Sequence, residues 1–245
     1  MFIVKIIWKF VRWAIAFFLA STILAVIAYR YLPVYATPLM FIRVAQQISH
    51  GEMPRWHHSW VSLDDMSKSM PVAVMASEDS QFLLHHGFDI EAIEKARKYN
   101  KTHDRKHGAS TITQQCVKNV FLWPGRSWTR KGFEAYFTVL VEFMWSKQRI
   151  MEVYLNSIEM GDGIYGVQAV AEQHFQKDAK DLTRAECALI AATLPNPRKF
   201  SSAAPSAYMR KRQARIQKEM KYIPLFPKEG EKINTKSVSG GIYSR

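Results

Sequence analysis

The sequence predicts an all-α, mainly helical protein that begins with one transmembrane helix. Three observations lead to this prediction. Apolar side chains recur at helical spacing from about residue 60 to residue 200, with no sustained β alternation. Residues 13–29 contain no charged side chain. Capping residues, prolines and glycines divide the rest of the chain into short helices.

The chain has 245 residues and a formal net charge of +13, from 34 lysines and arginines and 21 aspartates and glutamates. This length suits one large domain with appendages. The composition excludes a disordered acidic chain, a collagen-like fibre and a disulfide scaffold. The positive charge indicates an anionic partner, which is nucleic acid, lipid headgroups or a phosphorylated substrate.

The N-terminal segment favours the membrane among these partners. Its uncharged run, WAIAFFLASTILAVIAY, spans roughly 26 Å as a helix, near the lower limit for a bilayer. Flanking arginines and aromatic residues extend that span. Basic residues are more frequent before the run than after it, which predicts a cytoplasmic N-terminus and an exported remainder. A cleaved signal peptide is the alternative, and it also exports the remainder.

The helix signals after residue 60 can be followed in order. Pro71 opens a short apolar helix that ends near Glu78, and Asp89 caps the next helix. Residues 95–107 are polar and basic, which predicts a mobile loop. The later predicted elements are a polar helix over 110–122, a long amphipathic helix after Thr129, a helix from Ser146, a glycine-rich turn over 161–166, a helix opened by the capping box Thr183–Glu186, and a basic helix over 206–222.

The C-terminal segment has a distinct composition. Residues 198–245 carry 12 of the basic residues and only 3 glutamates. Contact with an anionic lipid surface is favoured over nucleic-acid binding on an exported chain, and a solvated helix with a loose tail is the alternative. The predicted organisation is a cytoplasmic N-terminus over 1–12, a transmembrane helix over 13–31, a connector and membrane-proximal region over 32–60, the main domain over 61–225 and a basic, disordered tail over 226–245.

Three groups of residues could carry chemistry. Glu78 and Asp79 lie where a helix gives way to a loop, a place where a carboxylate is either a general base or merely a capping or solvated group. The segment GASTITQQCVKN concentrates polar side chains that helices seldom favour, which indicates a surface for a polyhydroxylated or phosphorylated ligand. Arg130, Lys131 and Glu134 share one helix face, for which a surface salt-bridge face is the alternative.

Five segments of the chain, taken in order, resemble the five motifs of the peptidoglycan glycosyltransferases. They are EDSQFLLHHGFD, GASTITQQCVKNVFL, RKGFEAYFTVLVEFMWSKQRIMEVYLN, GIYGVQAVAEQHF and LTRAECALIAATLPNPRKF, within residues 71–200. The segment that follows is too short for a transpeptidase domain, so the chain resembles the monofunctional, biosynthetic form. The resemblance implies a lysozyme-like glycosyltransferase domain with a small membrane-facing jaw lobe. The stretch Val120–Trp128 is expected in that lobe, with buried core tryptophans as the alternative.

The activity implied by this resemblance is the polymerisation of lipid II. The GlcNAc 4-hydroxyl of lipid II attacks C1 of the donor MurNAc with inversion, and undecaprenyl pyrophosphate leaves. Glu78 matches the general base of the family, and Glu134 matches its second important glutamate, for which we expect a supporting role. The resemblance implies substrate-binding roles for Asp79, Phe82, Ser110, Thr111, Gln114, Gln115, Lys118, Asn119, Arg126, Arg130 and Lys131. It implies structural roles at the site for His85, Gly87, Asn156, Tyr165 and Gly166.

The resemblance requires no cofactor. No cluster of metal ligands has a recognisable spacing in the sequence, and a divalent metal at the pyrophosphate stays an open question. The expected partners are lipid II, the growing glycan strand and the membrane, but not nucleic acid, and proteins of cell-wall synthesis or division stay open. Cys116 and Cys187 are expected to be free, buried thiols, with a disulfide as the alternative.

The expected location is the inner (cytoplasmic) membrane, with a single span and an extracytoplasmic catalytic domain. Two other functions remain as alternatives. A lysozyme-like fold with one important glutamate also describes glycan-cleaving muramidases and lytic transglycosylases, which need an acid to protonate the leaving sugar. The second alternative is a non-enzymatic, membrane-anchored scaffold that binds anionic polymers.

Overall fold

The computed structural model describes residues 2–104, 107–238, 240 and 242–244. The described residues are mainly helical, as the sequence predicts. In chain order the elements are α1 (Phe2–Tyr31), α2 (Pro38–Ser49), β1 (His57–His58), α3 (Ser69–Glu78), α4 (Ile90–Thr102), α5 (Ile112–Phe121), α6 (Trp128–Met144), α7 (Lys147–Ser157), β2 (Glu159–Gly161), β3 (Ile164–Tyr165), α8 (Val167–Phe175), α9 (Arg184–Thr193) and α10 (Ala207–Glu219).

Helix α1 is long and apolar enough to cross a membrane. Its stretch Ile3–Tyr31 has a mean hydropathy of 2.1 in its most apolar part and is almost entirely unburied. The helix starts at Phe2, so the segment predicted as the cytoplasmic N-terminus is helical as well. The second half of α1 packs on α6, where the Trp145 indole N–H donates to the Val26 carbonyl at 2.8 Å. Helix α1 is therefore attached directly to the main domain.

The end of α1 is fixed by Arg149 from α7. The guanidinium of Arg149 donates to the Tyr29 carbonyl at 2.8 Å and to the Leu32 carbonyl at 2.5 Å, and it forms an ion pair with Glu152. The last carbonyls of a helix lack intrahelical partners and carry partial negative charge, so a cation there satisfies both needs.

Helix α2 lies in the segment predicted as a connector. Thr37 caps it through a hydrogen bond from the Met40 amide, and Pro38 occupies its first position. Both are helix-start signals. The segment was nevertheless predicted as a connector because its composition is rich in proline and aromatic residues. The side-chain oxygen of Gln47, which is buried, accepts from the Arg55 amide at 2.9 Å and ties α2 to the loop that follows.

The core is built around α3 and α9, which pack on each other and on α10. Helix α3 is buried on all sides from Met70 to Met75, as expected of a helix that is apolar all round. It emerges from the core at Glu78, its last residue. This position brings one carboxylate from a fixed, buried helix to the edge of the core.

A small sheet with the strand order β1-β3-β2 lies at one side of the helices. β1 pairs with β3 in parallel and β2 pairs with β3 antiparallel, through the glycine-rich turn that the sequence predicts. Gly166 has a φ of +82°, and a Cβ there would lie 2.5 Å from the Asn156 carbonyl oxygen. Only glycine fits between β3 and α8 at this point.

Two segments differ from the predicted loops and tails. α4 continues to Thr102, although residues 95–107 were predicted to be a mobile loop, and Arg105 and Lys106 lie outside the described residues. The disordered tail predicted for 226–245 is not what the described residues show. Phe226 stacks on Phe82 with ring centroids 6.3 Å apart, and Tyr243 is 4% exposed. Scattered apolar residues of the tail find partners in the core that local composition does not reveal.

Candidate active site

Glu78 lies at the C-terminus of α3 with only 13% of its side chain exposed. One carboxylate oxygen accepts from the Ser77 hydroxyl at 2.8 Å, and the other accepts from the Gln115 amide at 3.2 Å. The Arg212 guanidinium lies 3.4 Å from the first oxygen. Burial raises the pKa of Glu78, and the two hydrogen bonds and the charges of Arg212 and Lys118 oppose that rise. The result is a carboxylate that binds a proton more readily than an exposed glutamate.

Asp79 is buried, and its carboxylate is occupied by two protein donors. It accepts from the His85 imidazole Nε2 at 2.9 Å and from the Ile112 amide, at the start of α5, also at 2.9 Å. Asp79 therefore fastens the loop after α3 to α5. This geometry supports a structural role for Asp79 beside Glu78 rather than the substrate contact that the resemblance implies, and His85 lies where it braces the loop after α3.

The polar residues of α5 divide into capping residues and accessible residues. Thr111 and Gln114 form a capping box, and the Thr111 hydroxyl also donates to the Gly87 carbonyl at 2.7 Å. Asn119 is buried and donates to the Gln115 carbonyl at 2.7 Å. The residues that stay accessible are Ser110, Gln115 and Lys118.

Lys118 lies between the two glutamates of the site. The surrounding protein lowers the pKa of its ammonium through desolvation, and the charges of Glu134 and Glu78 act in the opposite direction. The charges of Arg130 and Lys131 lower this pKa further, so all four charged groups are close enough to influence the Lys118 ammonium. The second and third sequence segments therefore meet at one site.

Glu134 holds the basic residues at the start of α6. Its carboxylate accepts from Arg130 at 2.6 Å and forms an ion pair with Lys131. Arg130 also donates to the Gly125 carbonyl at 2.9 Å, and both Arg130 and Glu134 are nearly buried. Arg126 is exposed and lies just before α6 begins. Arg130 and Lys131 are thus held by Glu134, whereas Arg126 and Lys118 are exposed, and this arrangement suits an anionic ligand.

The remaining predicted site residues are buried in the protein. Asn156 is fully buried and bonds both the amide and the carbonyl of Val61. Tyr165 is buried beside Gly166 in the sheet. Phe82 is fully buried, with the Lys147 ammonium 4.5 Å from its ring centre, so it belongs to the core. No group of three or more metal-binding side chains occurs among the described residues.

Two contacts of the site were not predicted from the sequence. Arg212 comes from α10 and is separated from Glu78 by 134 positions. Tyr154, from α7, donates its hydroxyl to the Gln115 side chain at 3.2 Å, and burial raises its pKa well above the ordinary value. A basic helix was the only local signal for Arg212, and no spacing connects it to Glu78.

The two tryptophans of the Val120–Trp128 segment lie at the surface. Trp128 is 92% exposed and Trp123 is 42% exposed, so the alternative of buried core tryptophans is wrong. The Trp123 ring contacts Phe133, which in turn contacts Phe18 of α1. Trp123 is therefore connected to the middle of α1 through Phe133.

The comparisons with known proteins agree with one another. The family model described as Transglycosylase matches residues 45–221. A biosynthetic peptidoglycan transglycosylase of Bacteroides thetaiotaomicron is 59% identical over 91% of this chain and 90% of its own length. Proteins of the same name from Bdellovibrio bacteriovorus and Xanthomonas campestris are 50% and 48% identical, over 91% and 86% of this chain and 88% of their own lengths. Because the family model covers well over half of the sequence, the chain belongs to the transglycosylase family.

Proposed function

We propose that this chain polymerises lipid II into glycan strands as a peptidoglycan glycosyltransferase. The acceptor 4-hydroxyl attacks C1 of the donor sugar, the anomeric centre inverts and the lipid pyrophosphate leaves. One observation carries the proposal: the nearly buried Glu78 carboxylate at the end of a core helix lies close to Lys118, and Lys118 also lies close to the two basic residues that Glu134 holds. The family match and the printed names of the relatives support the same reaction class.

Glu78 is the proposed general base. A sugar hydroxyl is a poor nucleophile, and a positioned carboxylate that takes its proton accelerates attack. Burial raises the pKa of Glu78 toward the range in which a base works best at neutral pH. Ser77 and Gln115 orient the two carboxylate oxygens by hydrogen bonds, and the positive charge of Arg212 favours the ionised form of Glu78.

The cations opposite Glu78 are the proposed pyrophosphate site. A departing pyrophosphate needs no proton but needs its charge neutralised in place. Arg130 is held by Glu134 in one orientation, whereas Lys118 and Arg126 are free to meet phosphate oxygens. Glu134 itself forms ion pairs with two basic residues, so we assign it to positioning these cations rather than to proton transfer.

We further propose a single membrane span with a cytoplasmic N-terminus and a catalytic domain outside the inner membrane. The support is the apolar helix α1 and its attachment to α6, together with the exposed side chains of Trp123 and Trp128. Aromatic side chains of this kind are enriched at membrane interfaces. A lipid-anchored substrate would then meet the site at the height of the membrane surface.

A second function is favoured by one specific observation. The raised pKa of Glu78 is also what a glycan-cleaving enzyme requires of its acid, which must be protonated to serve the leaving sugar. Such an enzyme has no need for the cations around Lys118, because its leaving group is a neutral sugar hydroxyl. We therefore prefer glycan synthesis.

The test uses detergent-solubilised full-length protein and labelled lipid II. Wild type is compared with Glu78→Gln and with Glu94→Gln, which removes an exposed carboxylate from α4. We expect wild type and Glu94→Gln to give a ladder of products that lysozyme digests. Glu78→Gln should lose about 10²- to 10⁴-fold of the rate, the usual contribution of a general base, while it still binds lipid II. Cleavage of preformed glycan by wild type, without a ladder, would establish the lytic alternative instead.

A further inference from the structure

A cavity of about 290 Å³ lies between the small sheet and the segment that follows α9, and it shares no lining residue with the site around Glu78. Its walls come from the loop before β1, the β2–β3 turn, the end of α8 and residues 197–201. Three cations line it, Arg55, Arg198 and Lys199, against a single carboxylate, Asp162. The lining of the cavity thus carries more positive than negative charge. The Glu159 carboxylate also interacts with Arg198, but it forms its ion pair with Arg43.

Asp162 holds the two arginines side by side. Its carboxylate accepts from Arg55 at 2.8 Å on one oxygen and lies 3.5 Å from the Nε of Arg198 on the other. Each guanidinium has five N–H donors, so most donors of this pair stay available. The Lys199 amide donates to the Asn196 carbonyl, but its side-chain ammonium has no ion-pair partner in the part of the chain that the structure describes. A second carboxylate could therefore bind the same pair that Asp162 orients.

The position of Arg55 is fixed by its backbone. Its amide donates to the buried Gln47 side chain at 2.9 Å. Gly163, in the β2–β3 turn, has a φ of +72°, and a Cβ there would lie 2.6 Å from the Arg55 carbonyl oxygen. This close approach packs the loop before β1 against the turn that carries Asp162. The backbone of Arg55 is therefore held in place by the fold, while its half-exposed side chain is oriented by Asp162.

His174 is engaged in the wall of the cavity. Its imidazole shares a hydrogen bond of 2.7 Å with the Ser202 hydroxyl, and burial lowers its pKa. The cations of the proposed anion site are Arg55, Arg198 and Lys199.

The last turn of α9 connects this cavity to the proposed reaction site. The Ala191 carbonyl lies 3.4 Å from the hydroxyl of Ser77, the neighbour of Glu78. Two residues later, the Thr193 hydroxyl lies 3.4 Å from the carbonyl of Met160, in the strand that leads into Asp162. The cavity wall then follows from residue 197. The end of α9 thus contacts both sites, and a peptide of five residues reaches roughly 17 Å when extended.

We propose that this cavity binds a carboxylate of the peptide carried by the sugar substrate. The inference rests on the proposed function, because the sugars of lipid II carry such a peptide. Paired guanidinium groups match the planar carboxylate, and the volume lies at the lower end for ligand pockets, which suits one terminal residue rather than a sugar pair. The cavity would thus sense the peptide while Glu78 acts on the sugar.

The test measures binding without turnover. The probe is a soluble disaccharide pentapeptide without lipid or pyrophosphate, compared with the same compound after amidation of its carboxyl groups. The full-length protein in detergent should bind the acidic form about 3- to 10-fold more tightly, the scale of an exposed charge-assisted hydrogen bond. The double variant Arg198→Gln/Lys199→Gln should lose this preference. Arg210→Gln/Lys211→Gln, which removes the same charges from the exposed face of α10, should keep it.

Three results would overturn the inference: no measurable binding by wild type, equal binding of both probes, or displacement of the peptide by an equal concentration of inorganic phosphate. The comparison of the two probes on wild type needs no variant, so a folding defect in the double variant does not affect it. Failure of the proposed function looks different. A wild type that prefers the acidic probe but makes no glycan contradicts polymerisation alone, and one that polymerises without preference contradicts only the peptide site.

Discussion

The contact between Arg212 and Glu78 predicts how the reaction depends on pH. Replacement of Arg212 by Met keeps an apolar stem of similar length but removes the charge that lies 3.4 Å from the carboxylate. Burial raises the pKa of Glu78, and the charge of Arg212 opposes this effect. Without Arg212 the pKa rises further. Because a base must be ionised, activity is lost as pH falls through that pKa, so the acid limb of the profile moves to higher pH.

The size of the effect follows from the distance and the burial. Two unit charges 3.4 Å apart interact by about 5 kcal/mol at an effective dielectric constant of 20 and by about 1.2 kcal/mol in water. Glu78 is 13% exposed and Arg212 is 25% exposed, so solvent screens part of the interaction. We expect Arg212→Met to remove about 1–2 kcal/mol of stabilisation of the ionised Glu78 carboxylate. This loss lowers kcat/KM on the acid limb roughly tenfold. At high pH, where Glu78 is ionised in both proteins, the rates should converge.

The assay is kcat/KM for lipid II polymerisation between about pH 5 and pH 9. Arg215→Met is the matched control, because Arg215 lies on the same helix and pairs with Glu219 at the surface. It changes the net charge equally but leaves Glu78 alone. A profile of Arg212→Met that coincides with wild type would refute the reasoning. An equal shift in Arg215→Met would refute it too, since the effect would then come from the charge of the whole protein.

Three further outcomes are expected. Glu134→Gln removes the charged acceptor of the buried Arg130 and should lower the free energy of unfolding by about 2–3 kcal/mol in a denaturant titration, and unchanged stability would contradict the positioning role. Gly87→Ala should destabilise by at least about 1–2 kcal/mol, since Gly87 has a φ of +84° and a Cβ there would lie 2.7 Å from Thr138 Cγ2. The matched change Gly132→Ala, with open space around a helical glycine, should instead stabilise by about 0.5–1 kcal/mol. Cys116 and Cys187 are free and buried, and burial raises the pKa of Cys187 to about 12. Thiol reagents should therefore label both cysteines only after unfolding. Labelling of the native protein would contradict this burial.

Helix starts were predictable because a cap depends on residues next to each other. The side chain of Asp89 accepts from the Ala92 amide, and the capping box of Thr183 and Glu186 opens α9, as the sequence predicts. Ser146 caps α7 in the same way. The helix end of α4 was not predictable, since a basic, polar helix that buries none of its residues has the same composition as a loop.

The many polar side chains of α5 did not reveal which of them face a ligand. The sequence shows many polar side chains in one segment, but it does not separate those that satisfy the backbone from those that face a ligand. Thr111 and Gln114 form hydrogen bonds with the backbone at the start of α5, and Asn119 donates one to the carbonyl of Gln115. Gln115 and Lys118 face Glu78 and the second glutamate. Only the direction of each side chain, which follows from helix packing, makes this distinction.

Arg212 shows the limit of the sequence most clearly. Its local context predicts a solvated basic helix, and most of α10 is indeed polar and exposed. Yet Met209 and Ile216, seven positions apart on one face, are buried against the core, and this packing turns Arg212 toward Ser77 and Glu78. The apolar pattern that fixes the helix is thus what gives the charge its function. A basic residue between two such anchors is a better candidate for a site than one in an unbroken charged run, because its helix face is already decided by burial.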